Sequence, residues 1–286
     1  MVQAKDLMRT DFVSVDLNDT VSVLLGKLIK NKQTFAVVFE GKKYRGLVEK
    51  GWLLTSKIDS DSMKLSNITK HASKRKTPFF VPQLEEETEL ADICKLLVTS
   101  DVRALPVIAK EKVVGVVTAK DVVKELQPNF KGIPVLELAK TKLVTLKEND
   151  ELGKMIKLFS TTGVERAPVV NAAGKLVGIA SINDFMTKYQ IFPSCSQGQR
   201  MSAGAKRGNM ASSGFEHGEK QNLMKLPVAN IIVKDPMVCV EDRNCTVAEV
   251  ITQMTEHDVT SIIITEKDKP IGIITVKDIL MEFARK

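Results

Sequence analysis

Three short segments of the chain place a hydroxyl and a carboxylate at one spacing: Thr118 with Asp121, Ser181 with Asp184, and Thr275 with Asp278. Each hydroxyl follows a glycine by three residues: Gly115, Gly178 and Gly272. Each pair stands where a β-type run gives way to a helical pattern. Two kinds of chemistry fit. A Ser or Thr followed three residues later by an acid resembles a helix-capping box, with the acid also complementing the helix dipole. The same turn can bind a ligand. Free N–H groups at a helix start suit a phosphate. The hydroxyl can join them, and a short carboxylate can accept two hydrogen bonds from a ribose diol. The acid is Asp in all three copies, although a capping box favours the longer Glu or Gln. The glycine would let a ligand or another backbone come close. Capping and binding are compatible.

Internal repetition organises everything around these turns. A worn fourth copy is Gly46-Leu47-Val48-Glu49-Lys50-Gly51-Trp52, in which Glu49 replaces the hydroxyl and Trp52 the aspartate. Upstream of each turn lie an apolar strand-like run, a three-turn amphipathic pattern and an earlier short β-type run. The strand-like runs include Ala104-Leu105-Pro106-Val107-Ile108 and Ala167-Pro168-Val169-Val170. The glycines at 46, 115 and 178 are nearly evenly spaced, whereas the interval to 272 is longer by about 30 residues. The spacing predicts four units and one insertion, with boundaries at 1–57, 63–127, 133–190 and 226–286 and an insertion at 191–225. That insertion is rich in Ser, Gly, Gln and basic residues, lacks apolar periodicity, and reads as a disordered surface segment. Expected strands include Phe12 to Val15, Phe79 to Val81 and Leu143 to Leu146. Expected helices include Val21 to Lys30 behind Thr20, Leu90 to Thr99, Asp121 to Leu126 before Pro128, and Val247 to Glu256.

Composition narrows the function. The 286-residue chain is 43% hydrophobic, an ordinary fraction for a globular protein. Repeats of about 60 residues bury little core alone, so pairing is expected. No apolar run approaches the roughly 20 residues of a membrane span. Met1 to Asp6 lacks the apolar stretch of a signal peptide, and a cytoplasmic location is expected. Four cysteines without a Cys-x-x-Cys pair and three histidines argue against a metal site. The net charge of +7 favours anionic partners such as nucleotides, nucleic acid or an acidic protein. The basic run Lys70 to Lys76 reads as a solvated face, with a flap that meets polyphosphate or nucleic acid as the alternative. Neither a nucleophile–base constellation nor a phosphate-binding loop is visible, so an enzyme is not expected.

The Ala-Leu-Pro-Val strand and Gly-x-x-Thr/Ser-x-x-Asp turn, repeated in register, resemble the cystathionine-β-synthase (CBS) domain. The resemblance covers nearly the whole chain outside the insertion. It implies an α+β fold of four CBS repeats, each β-α-β-β-α, paired into two Bateman modules. Four-repeat members include stand-alone archaeal proteins and the gamma subunit of AMP-activated protein kinase. The implied function is a non-catalytic energy sensor that binds AMP, ADP or ATP in clefts between paired repeats and signals by changing shape. Asp121, Asp184 and Asp278 would hold ribose hydroxyls; Thr118, Ser181 and Thr275 would touch phosphate or ribose. Phe12 and Val13 would lie near an adenine at Asp121. Arg166, just before Ala167-Pro168, matches a position where the family often carries a phosphate-reaching base. Arg103 stands one place earlier relative to its proline. Repeat one, with Glu49 and Trp52, is not expected to bind a nucleotide in the usual way. No cofactor is required; the adenosine nucleotide is a regulatory ligand. An effector protein and a homodimer are further expected partners. The alternatives are a sensor of S-adenosylmethionine or methylthioadenosine, and a nucleic-acid-associated protein.

Overall fold

The computed structural model describes residues 2–50, 63–70, 81–189, 222–233, 239–240 and 244–285. Trp52, residues 71–76 of the basic run and residues 191–221 of the expected insertion lie outside the described residues.

Repeat one runs α1 (Ala4–Leu7), β1 (Ser14–Asp16), α2 (Val21–Lys30), β2 (Phe35–Glu40) and β3 (Lys43–Glu49). Helix α2 has the expected bounds. Thr20 caps it by accepting the Val23 amide, and Val21, Leu24, Leu25 and Leu28 fall on one buried face. Strand β1 runs parallel to β2, and β3 returns antiparallel. A parallel pair needs a crossover, which α2 supplies.

The other repeats copy this plan. Repeat two has α3 (Leu65–Lys70), α4 (Leu90–Ser100), β4 (Ala104–Ala109), β5 (Lys112–Thr118) and α5 (Ala119–Leu126). Repeat three has α6 (Val135–Leu138), β6 (Leu146–Lys147), α7 (Leu152–Thr162), β7 (Arg166–Val170), β8 (Leu176–Ser181) and α8 (Ile182–Tyr189). Repeat four has β9 (Cys239–Val240), α9 (Val247–Glu256), β10 (Ser261–Glu266), β11 (Lys269–Thr275) and α10 (Val276–Arg285).

Three details depart from the sequence reading. The first strands of repeats one and three begin later than their apolar runs. Phe12 and Val13 precede β1; Val13 is buried and its carbonyl accepts the Val37 amide just ahead of the ladder, while Phe12 packs against a core cluster. In repeat two Phe79 and Phe80 of the expected strand lie outside the described residues, and Leu84 bridges to Val107 in parallel. Helix α5 starts at Ala119, ahead of the expected Asp121, because Thr118 is its N-cap. Its end runs into a 3-10 turn, Gln127–Phe130, which accepts Pro128 in its first positions, where no N–H is needed.

The chain divides into two compact units. One holds repeats one and two, the segment leading into repeat three up to Leu143, and the body of repeat four from Val238. The other contains Val144–Met237, which is the body of repeat three and the segment leading into repeat four.

The segment before each repeat packs on a different repeat, by one recurrent pattern. Ala4 donates its amide to Thr88, Leu65 to Asp19, Val135 to Cys245, and Val228 to Asp150. In each case the acceptor immediately precedes the N-cap of the host's first long helix. Repeat one thus exchanges its leading segment with repeat two, and repeat three exchanges with repeat four. Within the first unit the sheets of repeats one and two meet through Phe35, Val37, Leu47, Ala104 and Val116. A larger core joins helices α4, α5, α9 and α10, with Phe130, Leu97, Ile251 and Leu280 buried in it.

Candidate functional site

The three Gly-x-x-hydroxyl-x-x-Asp turns adopt one geometry. Thr118 ends β5 and caps α5. Its hydroxyl lies 2.5 Å from Asp121 Oδ2, and the Asp121 amide returns a 3.3 Å bond to Thr118 Oγ1. Thr275 repeats this with Asp278: amide to Oδ2 2.9 Å, hydroxyl to Oδ2 2.6 Å. The Ser181 hydroxyl bonds Asp184, whose amide donates back at 3.1 Å. The reciprocal capping box is therefore real at Thr118 and Thr275, and the hydroxyl–aspartate bonds of the same cap form at Ser181. At Asp121 and Asp278 it engages Oδ2, and Oδ1 of each meets a cation.

The glycine of the turn has a defined job. A Cβ on Gly115 would meet Met8 Sδ at 2.8 Å, and one on Gly178 would meet Ile232 Cγ2 at 1.9 Å; on Gly272 it would meet the Ala139 Cβ at 3.4 Å. Of the two options left open by the sequence, a ligand or another backbone, the glycine admits the leading segment of another repeat. Backbone bridges pin that segment: Arg9 to Val116, Lys140 to Ile273 and Val233 to Ile179. In each case the partner follows the motif glycine directly.

These bridges place a side chain next to the aspartate that no motif announced. Arg9 lies across Asp121: Nε is 2.9 Å from both carboxylate oxygens and Nη2 is 2.5 Å from Oδ1. The hydrogen bonds that Arg9 donates to Asp121 raise the Arg9 pKa further, with Asp121 and Asp258 also contributing through their charge. Lys140 Nζ stands 3.0 Å from Asp278 Oδ1. The corresponding position opposite Asp184 is Val233. The bridge register predicts all of this, because Arg9, Lys140 and Val233 each stand six residues after the bridge that opens their segment, at Gln3, Pro134 and Pro227. Lys70 has the same place after Lys64. Without the exchange of segments, nothing in the sequence links Arg9 to a residue 112 positions away.

Asp121 opens on a cavity of about 150 Å³ whose polar lining is Arg9, Lys120, Lys124, Thr255 and Asp258, with Met254 and Val276 among its apolar walls. Lys120 pairs with Asp258 at 2.5 Å. The pseudo-symmetric pair is Lys277 with Asp101. Asp101 and Asp258 both sit in the left-handed region just past α4 and α9, where an Asp is tolerated. Asp184 lines a more open hollow of about 270 Å³ with Lys188, Asn230 and Ile231 to Val233. Lys188 donates to the Asn230 carbonyl.

The expected arginines differ in place. Arg166 opens β7 and pairs with Ser181 across the hairpin. Arg103 precedes β4; its carbonyl receives the Ala119 amide, and its own amide bonds Glu49 at 2.6 Å. By register, Ala104 and not Arg103 corresponds to Arg166. In worn repeat one, Glu49 thus grips a backbone amide of repeat two. Among the described residues no group of His, Cys, Asp and Glu could hold a metal, and no helix is long and apolar enough to cross a membrane.

Four repeats of one plan with exchanged leading segments, three of them closing on a capped turn and a helix, define a known class: the CBS domain family profile matches residues 4–51, 80–128, 135–190 and 228–285, and the chain belongs to that family. Similar chains include the uncharacterized protein MJ1404 of Methanocaldococcus jannaschii, 26% identical over 98% of this chain and 61% of its own length. Another is an uncharacterized 33.4 kDa protein of a ribosomal RNA operon in Thermofilum pendens, 24% identical over 86% of this chain and 72% of its own. This chain therefore spans less than two thirds of the first of these relatives. Among solved structures, protein MJ1225 of Methanocaldococcus jannaschii, described as a candidate archaeal homologue of g-AMPK, superposes with a TM-score of 0.74 over 99% of this chain and all of that one, at 17% identity. A conserved uncharacterized protein of Pyrococcus horikoshii gives 0.60 over 99% and 100% at 20% identity. These two likenesses speak for the fold.

Proposed function

We propose that the chain is a non-catalytic regulatory protein that binds adenosine nucleotides at its Asp121, Asp184 and Asp278 turns and signals by a change of shape. The observation that carries this is the threefold turn itself. A carboxylate is held by its own cap at a helix start, and at Asp121 and Asp278 the cap takes Oδ2 while an exposed, exchangeable cation holds Oδ1. A ribose diol can meet that oxygen, and the helix N-terminus and nearby cations suit the phosphate. At Asp121 the cavity beside the carboxylate carries Arg9, Lys120 and Lys124. The likeness to MJ1225 supports a regulatory role of the g-AMPK kind. Ligand would favour whichever packing of the repeats fits it best, and the altered surface would be read by an effector protein or a second copy. Arg166 is the arginine best placed to reach a phosphate at the Ser181–Asp184 turn.

Native mass spectrometry of protein purified without added nucleotide tests the reading. An adducted adenosine compound, or one acquired on titration and lost in Asp121→Ala or Asp278→Ala, is expected. No uptake of AMP, ADP, ATP, S-adenosylmethionine or methylthioadenosine at millimolar concentration would refute it and redirect attention to nucleic acid and protein partners.

A further inference from the structure

Asp121 and Asp278 each hold a cation, and both cations arrive by the same route. Arg9 reaches Asp121 from the leading segment of repeat one. Lys140 reaches Asp278 from that of repeat three. Each cation engages Oδ1, Arg9 most closely through Nη2 while its Nε also lies 2.9 Å from Oδ2, the oxygen that serves the helix cap. The carboxylates are the fixed partners, with side chains 17% and 8% exposed; the cations are the free ones, at 53% and 62% exposed on flexible stems. A ribose diol can hydrogen-bond Oδ1 only where the cation yields.

We infer that Arg9 and Lys140 are exchangeable gates that select phosphorylated adenosine ligands at the Asp121 and Asp278 turns. The inference rests on the functional reading above and sharpens it to a ligand class. The exchange is a swap of partners with no net loss of pairing when the ligand is anionic. The carboxylate gives up the cation and accepts the ribose hydroxyls, while the released cation turns to the ligand's phosphate. An Arg–phosphate contact is charge-assisted and two-pronged, like the Arg–carboxylate contact it replaces. Uncharged adenosine offers the hydroxyls but no phosphate, so the displaced cation is left with water alone. Methylthioadenosine is disfavoured for the same reason. The backbone of each gate stays anchored during the swap: Arg9 exchanges two hydrogen bonds with Val116, and Lys140 two with Ile273. Only the side chain needs to turn.

Isothermal titration calorimetry of the full chain with AMP and with adenosine tests this in wild type, Arg9→Gln, Lys140→Gln, the double variant and the charge-retaining Arg9→Lys. Wild type is expected to favour AMP. Replacing the gate at the occupied turn is expected to weaken AMP, leave adenosine equal or tighter, and lower the AMP-to-adenosine affinity ratio about tenfold, the equivalent of one charged hydrogen bond. Arg9→Lys should keep most of the preference. Asp121→Ala and Asp278→Ala identify which turn is read, and unchanged circular dichroism excludes misfolding. If AMP binds and the ratio is unmoved in both single variants and in the double variant, the gate is wrong while adenosine binding stands. If wild type binds neither compound nor any other adenosine nucleotide, both fall.

Discussion

Gly178 lies directly beneath Ile232, so closely that a Cβ on the glycine would sit 1.9 Å from Ile232 Cγ2 and 2.9 Å from the Val233 carbonyl oxygen. The contact explains why the repeated turn keeps its glycine. It also grades the cost of losing it. Gly178→Ala drives a methyl against a β-branched side chain and a backbone oxygen and should destabilise by about 3 kcal/mol or more. Gly115→Ala meets Met8 at Sδ (2.8 Å) and at Cβ and Cγ (both 2.9 Å), a contact less severe than that at Gly178, and should cost less, about 1–3 kcal/mol. Gly26, in the middle of α2 with nothing within 4 Å of a new Cβ, should gain about 0.5–1 kcal/mol as Ala. Urea denaturation of the three variants checks both the order and the signs.

The paired bonds Lys120–Asp258 and Lys277–Asp101 tie repeats two and four across α5 and α10. They are partly exposed, so each is expected to contribute about 0.2–1 kcal/mol. Reversing one charge, as in Lys120→Glu, should destabilise, and adding Asp258→Lys should restore most of the loss. The coupling should shrink at high salt. A double-mutant cycle at 50 mM and 1 M NaCl measures it; full additivity at low salt would remove the pair from the account.

Acid should destabilise the fold through its caps. The Thr246 amide and hydroxyl bond Glu249 and hold its pKa below the ordinary 4.5. Amides of Asn18 and Gly41 do the same for Asp16, below 3.8. At Asp150 burial pushes upward, but hydrogen bonds from Lys154 and the Lys147 amide outweigh it and leave the group lowered. A carboxylate depressed in the folded state contributes stability that is fully present above its unfolded pKa. That contribution is lost as pH falls through the folded one. Stability should therefore be flat at neutral pH and decline below about pH 4.5. Glu249→Gln should flatten that decline in melting curves taken from pH 7 to pH 3.

Cys94 is fully buried on α4, and burial pushes its thiol up to about 12. The thiolate is the reactive form. Native protein should resist iodoacetamide at Cys94 at pH 8 and react there once unfolded in guanidinium. Peptide mass mapping reports both.

Much of the fold was legible because the repeats corroborate one another. Val21–Lys30 and Val247–Glu256 were readable from a cap residue and an apolar stripe, and the Thr118, Ser181 and Thr275 turns from their common spacing. The bounds of the first strands were less so: Phe12 and Val13 are apolar for packing at the edge of a ladder whose register starts at Ser14. The site was half legible. Its aspartates and hydroxyls are local in sequence, whereas Arg9 and Lys140 reach them only through an exchange of leading segments, a long-range fact that periodicity does not carry. The one-residue offset of Arg103 from Arg166, read from their prolines, agrees with the hairpin ladders, in which Ala104 stands opposite Thr118 and Arg166 opposite Ser181.

The most direct test of adenosine binding is thermal unfolding of ligand-free protein against AMP, ADP, ATP, S-adenosylmethionine and methylthioadenosine, repeated in Asp121→Ala and Asp278→Ala. A ligand that binds only the folded state raises the midpoint, with about 2.7 kcal/mol gained at a hundredfold excess over Kd. The account predicts a shift with an adenosine phosphate that one aspartate substitution abolishes. No shift with any of the five would contradict it and leave the repeated turn as a helix cap alone.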